Sequence, residues 1–536
     1  PFIENGLLRI VLDRQDGKLL ELLDLEAKHN HVGDSKSIAG LWQLNVTSDG
    51  RQAILTPEQA KTFRWETLPP KQNGLRLIWN GFALPEASGC EVEVTIRLDD
   101  GKPVSRWEIA VKKPATLGLD EIRFPHVSGL RRQADERLAI PVWMGQQTAN
   151  PREVLRGAAG RGRRVCWDYP GRLSMQCLAY YRNGGCGFYA ACDDIVARRK
   201  SFVLCGTTDG DVHFEMVHYP VNLAKQTDRY VLPYRVLLGT FRGDWITAAE
   251  RYRAWATAQP SARRSRLGRG LVPDWVLRTG LWVWNRGRSP GVLPPARVLQ
   301  ERLGLPVGVF WHWWHGCPYD IGFPEYFPPR EGTEAFKQAV ASAHQGGLRM
   351  LVYMNQRAWG MSTESWKTEG AERFAVKGKD GKVRPEVYNI FTGKALASMC
   401  LATPFWRNRY AGLAEEAFED LGVDGIYMDQ ACSHKPCYDP NHGHPPGGGD
   451  SWLEGFRMLS EDIRSRCDGD RRIVLSGEGC GEAWLPYLDL MLALQVSKER
   501  YSSPDDPWEA IPFFQAVYHA HAVTYGSYSS LVMPPY

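Results

Sequence analysis

The 536-residue sequence predicts a multidomain β plus α/β protein. An antiparallel β-sandwich is expected over residues 1–242, a linker helix and connector over 243–272, and a (β/α)8 TIM barrel over 273–536. Three observations carry this. Up to about residue 242, apolar and polar residues alternate between tight-turn dipeptides, and no long helical period interrupts them. From Trp275 onward, short apolar strands alternate with amphipathic helices. No glycine-rich phosphate turn follows the first of these strands, which favours a barrel over a doubly wound sheet.

In the sandwich, Val92, Val94, Ile96 and Leu98 alternate with polar residues, Asp100-Gly101 turns the chain, and Val104 to Val111 returns as partner strand. Asn183-Gly184 joins Met175 to Tyr181 with Gly187 to Cys192, and Asp209-Gly210 leads into Val212, Phe214 and Met216. Asp244 is placed to cap a helix with Trp245, Ala248, Tyr252 and Trp255 on one face and Pro260 as its end. Arg263, Arg264, Arg266 and Arg269 then mark a solvated connector. The expected barrel strands are Gly280 to Trp284, Val307 to Trp311, Arg349 to Asn355, Gly425 to Asp429, Arg472 to Ser476, Leu488 to Leu494 and Phe513 to Val517. An eighth is not evident, so the chain is expected to be cut before the barrel closes. Thr403-Pro404 opens the helix before the fourth strand and Gly422 stops it. Ser451 and Glu454 form a capping box for the next helix, which buries Trp452, Phe456, Leu459 and Ile463.

Lys and Arg number 65 against 61 Asp and Glu, a net charge of +4 that gives no case for nucleic acid or an anionic membrane. No apolar run approaches the length of a membrane span. Twelve scattered cysteines without a CxxC pair form neither a disulfide scaffold nor a standard zinc module. The numbering starts at Pro1 without a signal-like segment, so cytoplasm, periplasm and exterior all stay open, as does oligomeric state. Of 20 tryptophans, 12 lie from Trp275 onward, which makes the barrel the aromatic-rich half.

A barrel presents its chemistry at the C-terminal strand ends. Asp429 closes the strand Gly425 to Asp429 after the apolar Ile426, Tyr427 and Met428, and Glu478 stands between Gly477 and Gly479 on the next strand. Two carboxylates converging on one pocket are the machinery of glycoside hydrolysis, one ionised to attack the anomeric carbon, the other protonated to release the leaving group. Glu482, one helical turn from Glu478, is an alternative acid. Sugars pack their C–H faces on aromatic rings and bond their hydroxyls to polar side chains. Trp284, His312, Trp313, Trp314, Asn355, Arg357, Trp359, Gln430, His442 and His444 are therefore the expected substrate-binding residues. The insertion from Asn355 to Thr403, with Trp359, Trp366 and a turn at Lys379 to Lys382, reads as a lid. Cys432, His434, Cys437, Asp439, His442 and His444 are all good metal ligands, but their spacing fits no standard module, and no metal or cofactor is expected. Two rival readings remain: a metal-dependent hydrolase using His312 and His315, and a non-catalytic carbohydrate-binding protein.

The order of sandwich, linker helix with Gly243-Asp244-Trp245 and Tyr252-Arg253-Ala254-Trp255, and barrel with Gly422 to Gln430 (GVDGIYMDQ) resembles retaining α-glycosidase families, such as α-galactosidase-like enzymes with an N-terminal β-supersandwich. Met399 to Arg407, Cys437 to Gly449 and Gly477 to Gly479 resemble most a largely uncharacterised bacterial group of glycoside hydrolases. The resemblance covers most of the chain and implies an α-linked oligosaccharide or glycoside substrate, with Asp429 as nucleophile. α-Amylase-like enzymes place the acid on the fifth strand, which matches Glu478. α-Galactosidase-like enzymes place it after the sixth, where this chain has Glu499.

Overall fold

The structure is a computed structural model that describes residues 1–33, 40–157, 160–221, 227–467, 472–494 and 507–526. The chain forms two compact units. Pro1–Ala258 belongs to the first with a later segment ending at Val517, and Gln259–Leu494 to the second with a segment starting at Tyr518.

The first unit is antiparallel throughout its sheets, which contain four, eleven and six strands among the described residues. Glu91–Leu98 pairs with Val104–Lys112 so that Trp107 faces Ile96, Ile109 faces Val94 and Val111 faces Val92, all buried. Period-two alternation thus delivers one apolar face to the core. The turns at Gly101, Gly184 and Gly210 all have positive φ, the conformation for which the turn dipeptides select glycine. The helix Trp245–Ala256 is capped as expected, Asp244 accepting the Ile246 N–H at 2.8 Å. Pro260 does not end that helix. It occupies the first turn of a new short helix, Pro260–Arg263, where its missing N–H costs nothing. The connector is not simply solvated either, because Arg266 is buried and paired with Asp489.

The second unit is built on a seven-stranded parallel sheet whose spatial order follows the sequence: Leu281–Asn285, Val307–Trp311, Arg349–Asn355, Gly425–Asp429, Val474–Glu478, Leu490–Leu492 and Thr524–Tyr525. The sheet curls until Trp282 of the first strand lies 5.5 Å from Tyr525 of the seventh, ring to ring. Val276, Leu351, Val474 and Leu490 form a core cluster with these rings packed against it. This is the expected sandwich and (β/α)8-type architecture, with one strand misassigned. Phe513–Tyr518 is a helix, because its buried residues Phe513, Phe514, Val517 and Tyr518 recur at helical rather than alternate spacing. The helix Ser451–Arg466 starts with Asp450 as its N-cap residue, so Ser451 is inside the first turn and no capping box forms. Its buried stripe, Trp452, Phe456, Leu459 and Ile463, is as expected.

Candidate active site

The fourth and fifth strands end in register, since Met428 pairs with Gly477, and this sets Asp429 beside Glu478. The two carboxyls lie near enough for the charge on Glu478 to bear on Asp429. The third strand supplies the other side of Asp429, its Tyr353 hydroxyl donating to Oδ2 at 2.8 Å and Asn355 Nδ2 at 2.6 Å. Asn355 is itself held by the Arg357 and Ala358 N–H groups on its Oδ1. Glu478 Oε2 accepts the Gln430 N–H at 2.9 Å, made possible by Gln430 at φ +61°. Each carboxylate is thus fixed by backbone or by a side chain from a neighbouring strand, which is pre-organisation of the kind catalysis requires.

Burial and the negative charge of Glu478 push the Asp429 carboxyl well above the ordinary carboxylate range, while Tyr353 and Arg357 favour its ionised form. Each of two neighbouring carboxylates disfavours ionisation of the other, and the Tyr353 and Asn355 donors offset this for Asp429. A third acid escaped the sequence reading. Asp320, in the loop after the second strand, is pushed up to about 6 by burial and by Asp429, with Arg286 opposing. Its φ of +58° places it in a conformation that no hydrophobic periodicity signals. Its position just beyond Trp311–His315 was the available clue.

Arg357, Gln430 and the insertion form a connected wall. Arg357 Nε donates to Gln430 Oε1 at 2.8 Å and Gln430 Nε2 to the Tyr388 hydroxyl at 2.9 Å. Glu386 joins this wall, and despite its burial Arg357 and Lys435 hold its carboxyl down to about 2. The insertion's hairpin pairs Ala358–Gly360 with Leu396–Ser398, and Phe391 at its far end is 96% exposed.

The aromatic residues divide. Trp284 is 36% exposed, with the Arg286 guanidinium over its ring and His312 against its edge. His312 also stacks on Tyr319 and packs on Tyr353. Trp313 is half-buried under Arg330. Trp314 and Trp359 do not present a ring face to a sugar: both are fully buried, Trp314 Nε1 bonded to the Tyr353 carbonyl and Trp359 packed on Phe405 and Trp406. These two are core residues, selected for volume. His315 is sealed among Tyr319, Phe323 and Tyr326, and burial lowers it to about 3. Neither His312 nor His315 belongs to a metal-ligand cluster among the described residues. His442 and His444 bond to Cys437 and Cys400. Glu482 is buried and accepts the Tyr518 hydroxyl at 2.6 Å. Glu499 lies outside the described residues.

Residues 230–529, more than half of the chain, match the family described as Domain of unknown function (DUF6259). The chain belongs to the DUF6259 family. This DUF6259 chain is 24% identical over 491 residues to a Bacteroides thetaiotaomicron protein named "Putative glycoside hydrolase", covering 90% of the chain and 69% of that protein. A Monosiga brevicollis protein, "Putative glycoside hydrolase 22789", is 22% identical over 378 residues, covering 64% of the chain and 31% of that protein. Among solved structures, α-N-acetylgalactosaminidase NagBb from Bifidobacterium bifidum in complex with GalNAc superposes with a TM-score of 0.70 at 17% identity, covering 97% of this chain and 83% of that one. The ligand-free form of the same enzyme also gives 0.70. The DUF6259 chain therefore has the fold of a glycoside hydrolase with N-terminal β-sheets and a curled parallel sheet.

Proposed function

We propose that this protein is a retaining glycoside hydrolase acting on an α-linked sugar, with Asp429 as nucleophile and Glu478 as general acid/base. The observation that carries the reading is the in-register pairing of the fourth and fifth strands, which sets the two carboxyls side by side at adjacent strand ends. Retaining enzymes hold their carboxyl groups about 5–5.5 Å apart, whereas inverting ones need about 6.5–9.5 Å for an intervening water. Neighbouring strands lie about 4.8 Å apart, so carboxyls at in-register strand ends fit the shorter, retaining separation.

In the first step Asp429 Oδ attacks the anomeric carbon as the bond to the leaving oxygen breaks, and the proton carried by Glu478 passes to that oxygen. The product is a glycosyl ester of Asp429 and an alcohol. In the second step Glu478, now ionised, takes a proton from water, whose oxygen displaces Asp429 from the anomeric carbon. Tyr353, Asn355 and Arg357 favour the negative form of Asp429 at the start and end of this cycle. Trp284 offers a partly open ring, and His312, Asp320, Arg357 and Gln430 offer polar contacts for hydroxyls.

The test is turnover of aryl α-glycosides, with α-N-acetylgalactosaminide, α-galactoside and α-glucoside as first substrates, and NMR of the first-formed sugar. An α-anomer as initial product is expected. A β-anomer would replace retention with inversion. Binding of a sugar with no turnover across the panel would favour the carbohydrate-binding reading.

A further inference from the structure

Cys400, Cys437, His442 and His444 each bring one ligand atom into a cluster whose members all lie within 4.8 Å of one another. Cys400 Sγ is 3.4 Å from His444 Nε2, and Cys437 Sγ is 3.4 Å from His442 Nδ1. Zinc bonds of about 2.3 Å to sulfur and 2.0–2.1 Å to nitrogen give a tetrahedron with edges of about 3.3–3.8 Å. Two separate thiol–imidazole hydrogen bonds would explain the two short contacts, but not the convergence of both pairs.

The outer bonds set the tautomers. His442 Nε2 lies 2.8 Å from the Arg373 carbonyl and 3.4 Å from Asp439 Oδ2, so Nε2 carries the hydrogen and Nδ1 turns its lone pair to the cluster. His444 does the reverse, its Nδ1 lying 2.9 Å from the Pro445 carbonyl and its Nε2 facing inward. Metal-bound imidazoles have this arrangement, the far N–H donating to a carbonyl or carboxylate. The backbone is equally fixed. Gly447 donates to the Cys437 carbonyl at 2.8 Å with φ +76°, and a Cβ there would lie 2.1 Å from the Tyr438 ring. Cys400 donates to the Phe374 carbonyl at 2.9 Å, and Lys377 pairs with Asp439 at 2.6 Å. A recess lined by Cys400, His434, Cys437 and His444 gives an entry path.

We infer that Cys400, Cys437, His442 and His444 form a tetrahedral Cys2His2 site for zinc. Soft thiolates and imidazoles select zinc over magnesium or calcium, and four protein ligands leave no open position, so the site is structural rather than catalytic. Two thiolates balance the cation's charge, which suits a place where Cys400 is 2% and Cys437 5% exposed. Cys400 comes from the insertion before the fourth strand, and the other three ligands from the loop that starts beside Asp429. The ion therefore staples the two segments that carry Arg357, Glu386 and Gln430. The fourth ligand stands 37 positions before Cys437, which is why the loop spacing alone fits no zinc module.

The full chain is purified under reducing conditions, incubated with zinc or cobalt chloride, desalted and analysed for metal. About one zinc per chain is expected, and the cobalt form should show tetrahedral d–d bands with a thiolate-to-cobalt charge-transfer band. Cys400→Ser and Cys437→Ser should each lower the bound metal at least tenfold, while His434→Ala, in the same recess but outside the cluster, should retain it. Should the serine variants fail to fold, alkylation mass mapping of the native chain decides: Cys400 and Cys437 should be protected with zinc and react after chelation. Less than about a tenth of an equivalent of metal on the reduced chain, a Cys400–Cys437 disulfide, a cobalt spectrum without the thiolate band, or unprotected thiols would each overturn the assignment.

Discussion

Asp429 and Glu478 differ in what they must do with a proton, and substitution separates the roles. Asp429→Asn keeps the shape and its donors but removes the attacking charge, so turnover should fall by about 10³-fold or more on every substrate. Glu478→Gln should cost about 10²–10⁴-fold on poor leaving groups and far less on activated aryl glycosides, whose departure needs little protonation. Equal losses on both would remove Glu478 from the acid's role. Asp320 gives a pH-dependent prediction. Its folded carboxyl is raised to about 6, above the usual unfolded value of about 3.9, so the folded state holds a proton that the unfolded state loses between about pH 4 and 6. Stability falls as pH rises through that window and stays lower above it. Asp320→Asn should therefore stabilise the fold at pH 7 by about 2 kcal/mol after allowance for its partial exposure, read as a higher thermal midpoint, and leave stability unchanged below pH 4. The strand-end carboxylates were legible in sequence because a charge closing an apolar strand is a local pattern. Asp320 and Cys400 were not, since each reaches its cluster through a loop whose path only tertiary structure defines.

At the scale of elements, the parallel strands were legible as buried apolar runs, and the errors fell where burial and periodicity compete. Phe513 to Tyr518 is short and apolar enough to read either way, and its helical spacing decides only once the buried residues are known. Ser451 lost the cap position to Asp450 by one residue, within the usual uncertainty of helix ends. Close strand approach gives a sharper test. Gly425 opens the fourth strand opposite Val474, and a Cβ there would lie 2.3 Å from the Val474 carbonyl oxygen and 2.8 Å from Leu351 Cδ2. The first obstacle is backbone and cannot rotate away, so Gly425→Ala must part the strands that carry Asp429 and Glu478. A loss of about 1–3 kcal/mol is expected, read as a lower thermal midpoint with reduced turnover in the fraction that folds. Unchanged stability and turnover would mean that the two strands do not approach as closely as described.

Over the whole chain, the second unit is held by pairs far apart in sequence, which no local pattern announces. Asp489 is the centre of one. It is 1% exposed and bonds Arg266, 223 positions earlier, together with Arg464 at 2.9 Å and the Leu475 N–H at 2.9 Å. The carboxylate thus joins the segment before the first strand, the helix Ser451–Arg466 and the fifth strand that ends in Glu478. Removing one member of a buried pair leaves its partners charged and unmatched, at a cost of about 3–5 kcal/mol. Asp489→Ala should accordingly lower the thermal midpoint by about 10 °C. Arg266→Ala relieves part of that mismatch, so the double variant should be less destabilised than the two single losses added together. Strict additivity in this cycle would show that Arg266 and Asp489 are not coupled, and the closure of the unit would then rest on its aromatic contacts, Trp282 with Tyr525 foremost.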